Sequence, residues 1–277
     1  SADGLNKVIS QVSTNKKELI QLINKNIFKG KIRKNDLDNF IDISENKNIT
    51  GKILHLDYLK PFSIKFYKCI SRLGKLVEGN KGPGTSFIYS NLVKAGGMEL
   101  FAEALRVNGY LEYSMNSSDY NITDDTIDSR TGKTFGQFKK EKIKLSDFNP
   151  ATFLIVTGGD ESGDEISEVK QKIIREVFNV PENKTGKMIK FVLGSKVMTE
   201  GVTLENVKET HILDVHYNLG KVHQVIGRAI RMCKHSAVIN DNNRFPTVNV
   251  YRYVVSLNGE LSSDENLYRK AELKYLL

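Results

Sequence analysis

The sequence has no tryptophan, only two cysteines and only five prolines in 277 residues. Cys69 and Cys233 lie far apart, which makes no disulfide framework and points to a reducing, intracellular setting. No run approaches the ~18 apolar residues of a membrane-spanning helix, and no signal-peptide pattern opens the chain, so no membrane partner is expected. There is no internal repeat and no low-complexity block. The first residues, Ser1-Ala2-Asp3, lack an initiator methionine, as expected of a processed or excised piece of a longer protein. The most local absence is of acid: from Val215 to Asn240 there is no Asp or Glu, while Lys221, Arg228, Arg231 and Lys234 lie inside.

What is present describes a globular protein. Hydrophobic residues make up 39% and charged residues 27%, and the formal net charge is +8. A basic balance favours a polyanionic partner without specifying one. The acidic counterpart, "GGDESGDEISEVK" (158–170), is open to the simple reading of a solvated face.

Residues 5–27 carry apolar positions at helical spacing, and a basic "KGKIRK" (29–34) and an Asn-rich passage follow, so residues 1–60 read as a helical and polar appendage. From 61 to 277 the pattern alternates. Helices are expected at 63–77, 97–109 and 165–179, and strands at 86–90, 152–158, 189–195, 210–215 and 247–257. The polar passage 114–150 reads as a long loop or insertion. Strands alternating with helices require crossover connections and a mostly parallel sheet covered on both faces, an α/β three-layer domain.

Two stretches imitate a phosphate-binding loop. "SRTGKTF" (129–135) contains Gly-Lys-Thr, but Ile127 stands where the loop needs its first glycine. "NKTGKM" (183–188) has no hydroxyl after its lysine. Neither follows the pattern, so the chain has no phosphate-binding loop of its own. His211, His216 and His223 have no cysteine or carboxylate at metal-ligand spacing, so they read as structural histidines and no metal site is expected. There is no Gly-x-Ser-x-Gly elbow either.

The stretch with directed chemistry is "KVHQVIGRAIRMCKH" (221–235). As a helix at about 100° per residue, it gathers Gln224, Arg228 and Arg231 within about 60° of one another. Val222, Val225, Ile226, Ala229 and Cys233 form the opposite face. One side can bury while the other presents two planar, permanently charged guanidiniums, groups suited to phosphoryl oxygens. "GSKVMTEGVTL" (194–204) follows another strand, and functional loops gather at the carboxyl ends of parallel strands.

These segments resemble the C-terminal RecA-like domain of superfamily-2 helicases. "QVIGRAIR" (224–231) is similar to motif VI, Gln-x-x-Gly-Arg-x-x-Arg; "GSKVMTEGVTL" to motif V; and "SFIYSNLVKAGGMELFAEALRVNGY" (86–110) to the surroundings of motif IV. The likeness runs from about 61 to 257. It is nearest to helicase-like proteins of large cytoplasmic DNA viruses, of the poxvirus early transcription factor large subunit type.

The resemblance implies that Arg228 and Arg231 are arginine fingers with Gln224 alongside. Gly227, Glu200 and Gly201 would border the nucleotide, ATP with Mg2+. Tyr89, Ser90, Asn91, Ser195 and Thr199 would lie along a nucleic-acid backbone, DNA or RNA. It also implies that ATP is held mainly by an N-terminal lobe absent from this chain, so that the chain alone hydrolyses none. Further expected partners are viral transcription machinery, in the host cytoplasm or the virion. Thr203 departs from the family pattern, in which many relatives carry asparagine. The alternative function is a non-catalytic helicase-like module that binds nucleic acid or a transcription partner.

Overall fold

The computed structural model describes residues 2–78, 84–94, 96–158, 166–199, 202–214, 218–229, 235–240, 244 and 246–276, without the side chains of 2–6, 8, 199, 221, 228, 229, 275 and 276. In chain order the elements are α1 (Ala2–Asn26), α2 (Lys34–Leu37), β1 (Asp42–Ile43), β2 (Ile49–Thr50), α3 (Leu56–Leu59), α4 (Ile64–Val77), β3 (Thr85–Tyr89), α5 (Met98–Val107), β4 (Leu111–Glu112), α6 (Phe135–Lys140), β5 (Thr152–Val156), α7 (Glu168–Ile173), β6 (Phe191–Gly194), β7 (Val207–Ile212), α8 (Leu219–Ala229), β8 (Asn249–Arg252) and α9 (Ser263–Leu276).

Six strands form one sheet in the order β4-β5-β6-β3-β7-β8, and each described pairing in it is parallel. The side-chain period of two divides each central strand between two apolar layers. Ile88, Phe153, Phe191 and Leu193 face one layer with Phe66, Cys69, Ile70 and Phe101 of α4 and α5. Phe87, Tyr89, Leu154, Val156 and Val192 face the other, with Ile173, Phe178, Val222 and Val225. Helices on both faces of a parallel sheet make the three-layer, RecA-like α/β arrangement expected from the alternating pattern.

The N-terminal segment joins the first layer. Phe40, Ile53, Leu54, Tyr58 and Leu59 are buried in the same cluster as α4 and α5, and Phe28, Phe40 and Tyr58 meet edge to face. α1 covers the stretch read as helical and kinks at Asn15 (φ −133°, ψ 40°). The 165–179 helix is α7, which continues into a wider i→i+5 turn at Ile174–Phe178. The short β4 and the C-terminal α9 are elements the pattern did not announce. α9 is started by Ser262, whose hydroxyl accepts from Glu265 N while Glu265 Oε2 accepts from Ser262 N, and it is tied to α4 by a Lys65–Asp264 pair at 2.5 Å.

Both imitation phosphate loops have structural work. The carboxylate of Asp128, with no exposure, accepts from Arg130 N, Thr131 N, the Thr131 hydroxyl and Asn149 N at 2.8–3.2 Å. The backbone donors that would face a phosphate are therefore spent inside the 128–131 turn. Thr134 then caps α6 in a reciprocal box with Gln137. In the second stretch the buried Asn183 side chain bonds Phe178 O, Met188 N, and both Ile189 N and O.

Lys190 is 1% exposed and donates to Thr185 O at 2.6 Å. Burial lowers its ammonium to a pKa of about 8, with Asp128 acting in the opposite direction. The unfolded chain then holds this proton at pH values where the folded chain has released it, so stability rises as pH climbs from about 8 toward the ordinary lysine value. Relative to Lys190→Met, the wild type should gain about 2 kcal/mol between about pH 7.5 and about pH 9.5 in urea titrations. A difference constant with pH would contradict the depressed lysine.

Candidate functional site

The carboxyl ends of β3, β6, β7 and β8 meet at one edge, where α8 lies against the turn Lys196–Thr199 that follows β6. That approach is built from apolar residues. Val222 and Val225, each 1% exposed, bury in one cluster with Val197, Met198, Val202, Leu204 and Tyr89. Ile226 packs against the same cluster from a half-buried position. Of the face foreseen as buried, Val222 and Val225 are buried and Ile226 is half-buried, and Gln224, on the other side of α8, is exposed. Close approach at the end of β6 depends on Gly194, where an added Cβ would come within 2.7 Å of both Phe87 Cε2 and Met198 Cγ. By contrast, a Cβ on Gly227 would meet nothing within 4 Å. The fold of this chain places no demand for glycine there.

Arg228 has its backbone in α8 with its side chain outside the described residues, and Arg231, Glu200, Gly201 and His216 lie outside them entirely. Thr199 ends the turn beside α8, again without a described side chain. Ser195 is 2% exposed, its N–H donating to Val156 O at 3.3 Å and its carbonyl accepting from Met198 N at 2.9 Å.

At the end of β3 the three candidate residues divide. Tyr89 is 4% exposed, and burial beside the Asp214 charge pushes its phenol up to about 12. Ser90 is buried, and its hydroxyl donates to Asp214 Oδ2 at 2.7 Å and stands 2.8 Å from Leu92 O. Asn91 is the one whose side chain is exposed; its N–H donates to the same Asp214 oxygen at 2.6 Å. Leu92 N–H also reaches Asp214, at 3.3 Å.

Asp214, the second residue after β7, thus clamps the loop after β3, and sequence reasoning missed it. The available signal was an acidic residue ending the apolar run "THIL" at the carboxyl edge of a parallel sheet. Losing charge-assisted bonds to three donors, Asp214→Ala should cost about 2 kcal/mol and lower the melting temperature by several degrees. A melting curve superimposable on wild type would show the clamp to be energetically idle. From the far side, Arg252 at the end of β8 brings Nη2 within 3.5 Å of His223 Nε2, next to Gln224 on α8.

Behind this edge, between β7, β8 and α4, lies a buried polar network. Glu209 and His211 have no exposure. His211 Nδ1 is 2.9 Å from the Tyr253 hydroxyl, and its Nε2 is 3.3 Å from Glu209 Oε2. Tyr251 donates to Glu209 Oε1 at 3.4 Å, and the Arg72 guanidinium lies 3.9 Å above the Tyr251 ring. His211 thus spends both ring nitrogens inside this network. Among the described residues no cluster of three or more histidines, cysteines or carboxylates could hold a metal ion.

This geometry, a parallel sheet whose carboxyl edge collects a β3 loop, a β6 turn and an amphipathic α8, defines a RecA-like lobe. Residues 127–233 match the helicase conserved C-terminal domain. The chain is 43% identical, over 99% of its length, to L377 of Acanthamoeba polyphaga mimivirus, provisionally named an ATP-dependent RNA helicase, and spans 24% of that protein. It is 25% identical over 75% of its length to the early transcription factor large subunit homolog of African swine fever virus, spanning 17% of it. It is 26% identical over 76% of its length to the early transcription factor 70 kDa subunit of fowlpox virus, spanning 28% of it. A structural superposition on the C-terminal part of the Fun30 ATPase domain covers 92% of this chain and 52% of that one, at a TM-score of 0.42 and 13% identity.

Residues 127–233 thus match the helicase C-terminal domain, and the chain is similar to viral helicases and early transcription factor subunits. It spans about a quarter or less of the length of most of these viral relatives.

Proposed function

We propose that this chain is the second lobe of a nucleic-acid-dependent ATPase, with residues 61–277 as the lobe and 1–60 as its N-terminal cover. One observation carries the reading. The same apolar cluster that buries Val222 and Val225 also holds the turn at 196–199 and the end of β3, so three separate segments converge while α8 keeps Gln224 outward. In the sequence Arg228 follows Gln224 by four positions and Arg231 by seven, the spacing the helical reading uses. Gly227 sits among them with open space where a Cβ would be, which suits the close approach of a second body.

In this reading ATP with Mg2+ is bound by the companion N-terminal lobe and supplies the phosphoanhydride to be cleaved. The chain's own contribution is positional and electrostatic. Arg228 and Arg231 bring fixed guanidinium donors to the oxygens where charge develops, and Gln224 orients beside them. Thr199, which ends the turn beside α8, and Glu200 and Gly201, which follow it in the sequence, are assigned the link between that face and the nucleic-acid edge. There Asn91 offers an exposed side chain, while Tyr89, Ser90 and Ser195 shape the edge from inside. Contacts of this kind go to phosphates, so binding is insensitive to base sequence and sensitive to salt. The viral relatives support a setting in viral transcription, in the host cytoplasm or the virion.

The isolated 277-residue chain should bind single-stranded nucleic acid with an affinity that falls steeply with salt, and should hydrolyse no ATP. Fluorescence anisotropy across a salt series and a phosphate-release assay test both halves. Measurable hydrolysis by the isolated chain, or salt-independent binding, would overturn the assignment.

A further inference from the structure

A pocket of about 430 Å³ lies on the α4–α5 side of the sheet, beside the amino end of β4. The start of α3, one face of α4 and the end of α5 line it, and Asp125, Ile127 and Thr134 of the 114–150 passage line the remaining side. The reading above gives that passage no role. The pocket's size is within the roughly 300–1,000 Å³ of small-molecule sites. Leu56, Ile70, Val107 and Ile127 give it an aliphatic wall.

Two of its polar groups are fixed in place and unused. Tyr110 is 2% exposed, yet its hydroxyl makes no hydrogen bond among the described residues and is not sealed off from the pocket it lines. A buried hydroxyl without a partner is costly, and this one can both donate to and accept from a bound molecule. Gly74 of α4 leaves it uncovered: a Cβ there would meet the Tyr110 hydroxyl at 3.9 Å and nothing else within 4 Å. Glycine inside a helix is destabilising, and here it keeps the pocket open. The second group is His55. Its Nδ1 accepts from Asp57 N at 3.2 Å, which puts the ring proton on Nε2, and Nε2–H has no acceptor among the described residues. Burial lowers its pKa below the ordinary histidine value, which keeps the ring neutral at pH 7. Asn108, by contrast, has its amide engaged with Leu54 O, Leu56 N and Ala104 O.

The exposed part of the lining sets Asp57, Glu78 and Asp125 against Lys75, an excess of negative charge that turns phosphates away. A molecule that fits is uncharged and flat enough to lie on the aliphatic wall. Its edge carries acceptors for Tyr110 and His55 and an amino group for a carboxylate. We propose that this pocket binds a nitrogen heterocycle with an exocyclic amino group, as in adenosine, with Tyr110 and His55 as its hydrogen-bonding groups and Gly74 as its opening. The proposal is independent of the arginine-finger reading, since α8 packs in the other apolar layer, at the carboxyl ends of the strands. A free nucleoside and an unpaired base of a strand present the same chemistry, and the test separates them.

The 277-residue chain is titrated with adenosine by calorimetry and with a fluorescein-labelled oligoadenylate by anisotropy. Gly74→Leu fills the pocket from a half-buried helix position, and Tyr110→Phe removes one oxygen. Leucine favours a helix more than glycine does, and the Tyr110 hydroxyl takes no hydrogen bond with it, so both variants should fold. Thermal melting verifies this. Photolabelling of the wild type with 8-azidoadenosine, followed by peptide mapping, locates the contact even if a variant is destabilised. The expected label falls within 55–75 or 107–127. Affinity should drop by about tenfold or more in Gly74→Leu and by about threefold or more in Tyr110→Phe. A loss confined to adenosine identifies a free nucleoside. A loss that includes the oligoadenylate identifies a base of a strand. The proposal is overturned if the label falls elsewhere, or if neither variant weakens either probe.

Discussion

Arg228→Ala in the full-length parent should lower nucleic-acid-stimulated ATP hydrolysis by ~10³ or more, while nucleic-acid affinity stays within about twofold. The size follows from what the side chain is asked to do. A guanidinium that meets the γ-phosphoryl oxygens only as charge develops stabilises the transition state and not the ground state, so its loss falls on kcat. Arg228→Lys should recover little, because an ammonium lacks the planar fork. Gln224→Ala, four residues earlier in α8, should show a smaller loss in the same direction. Stopped-flow phosphate release at saturating nucleic acid measures the rates, and thermal melting verifies the fold. Val222 and Val225 hold α8 from its buried side, so removing Arg228 should leave the melting temperature unchanged.

The second large effect concerns stability. Glu209→Ala should cost about 3–5 kcal/mol, because it removes a fully buried carboxylate from beside the fully buried His211. His211 loses the carboxylate 3.3 Å from Nε2, and the Tyr251 hydroxyl loses its acceptor. The double variant Glu209→Ala/His211→Leu should cost clearly less than the sum of the two single changes, by about 1 kcal/mol or more, since much of each single cost is the orphaned partner. Urea titrations of the four proteins close this cycle. Additive costs would mean that the two side chains do not depend on each other.

These two effects differ in how visible they were in the chain. The apolar side of α8 was legible because amphipathicity is a local property. Val222, Val225 and Gln224 separate at helical spacing whatever else the chain does. β3, β5 and β6 were legible for a similar reason, as apolar runs such as "FLIV" are what a strand buried on both faces requires. The Glu209 network was hidden because it breaks that rule. "VKETHI" carries Lys208 and Glu209 directly after Val207, so apolar patterning moved the strand to 210–215, whereas the chain pairs it from Val207 to Ile212. Only the crossover that sets α4 above β7 and β8 brings Arg72 over Tyr251 and gives polar strand residues their partners.

Asp214 was overlooked for the same displacement: counted inside a strand, it could not be seen as the clamp on Ser90, Asn91 and Leu92 from 122 to 124 residues away. Tyr89 shows the converse. Its place at a strand end suggested outward chemistry, but it shares the side of β3 taken by Phe87 and turns inward with it. β4 is two residues long and offered no period to read. Among the described side chains of α9, Leu273 is exposed and Ala271 alone is deeply buried, so its apolar stripe was too thin to announce a helix.

The most direct measurement is the steady-state ATP hydrolysis rate of the full-length parent, with and without nucleic acid, beside its Arg228→Ala variant, with binding measured on the same samples. The account predicts stimulated hydrolysis in the wild type and its collapse in the variant, with binding and its salt slope retained. It is contradicted if the wild type shows no stimulation, or if the variant keeps its rate while affinity and salt slope fall together. That result would make α8 a phosphate-contacting surface of a non-catalytic binding module.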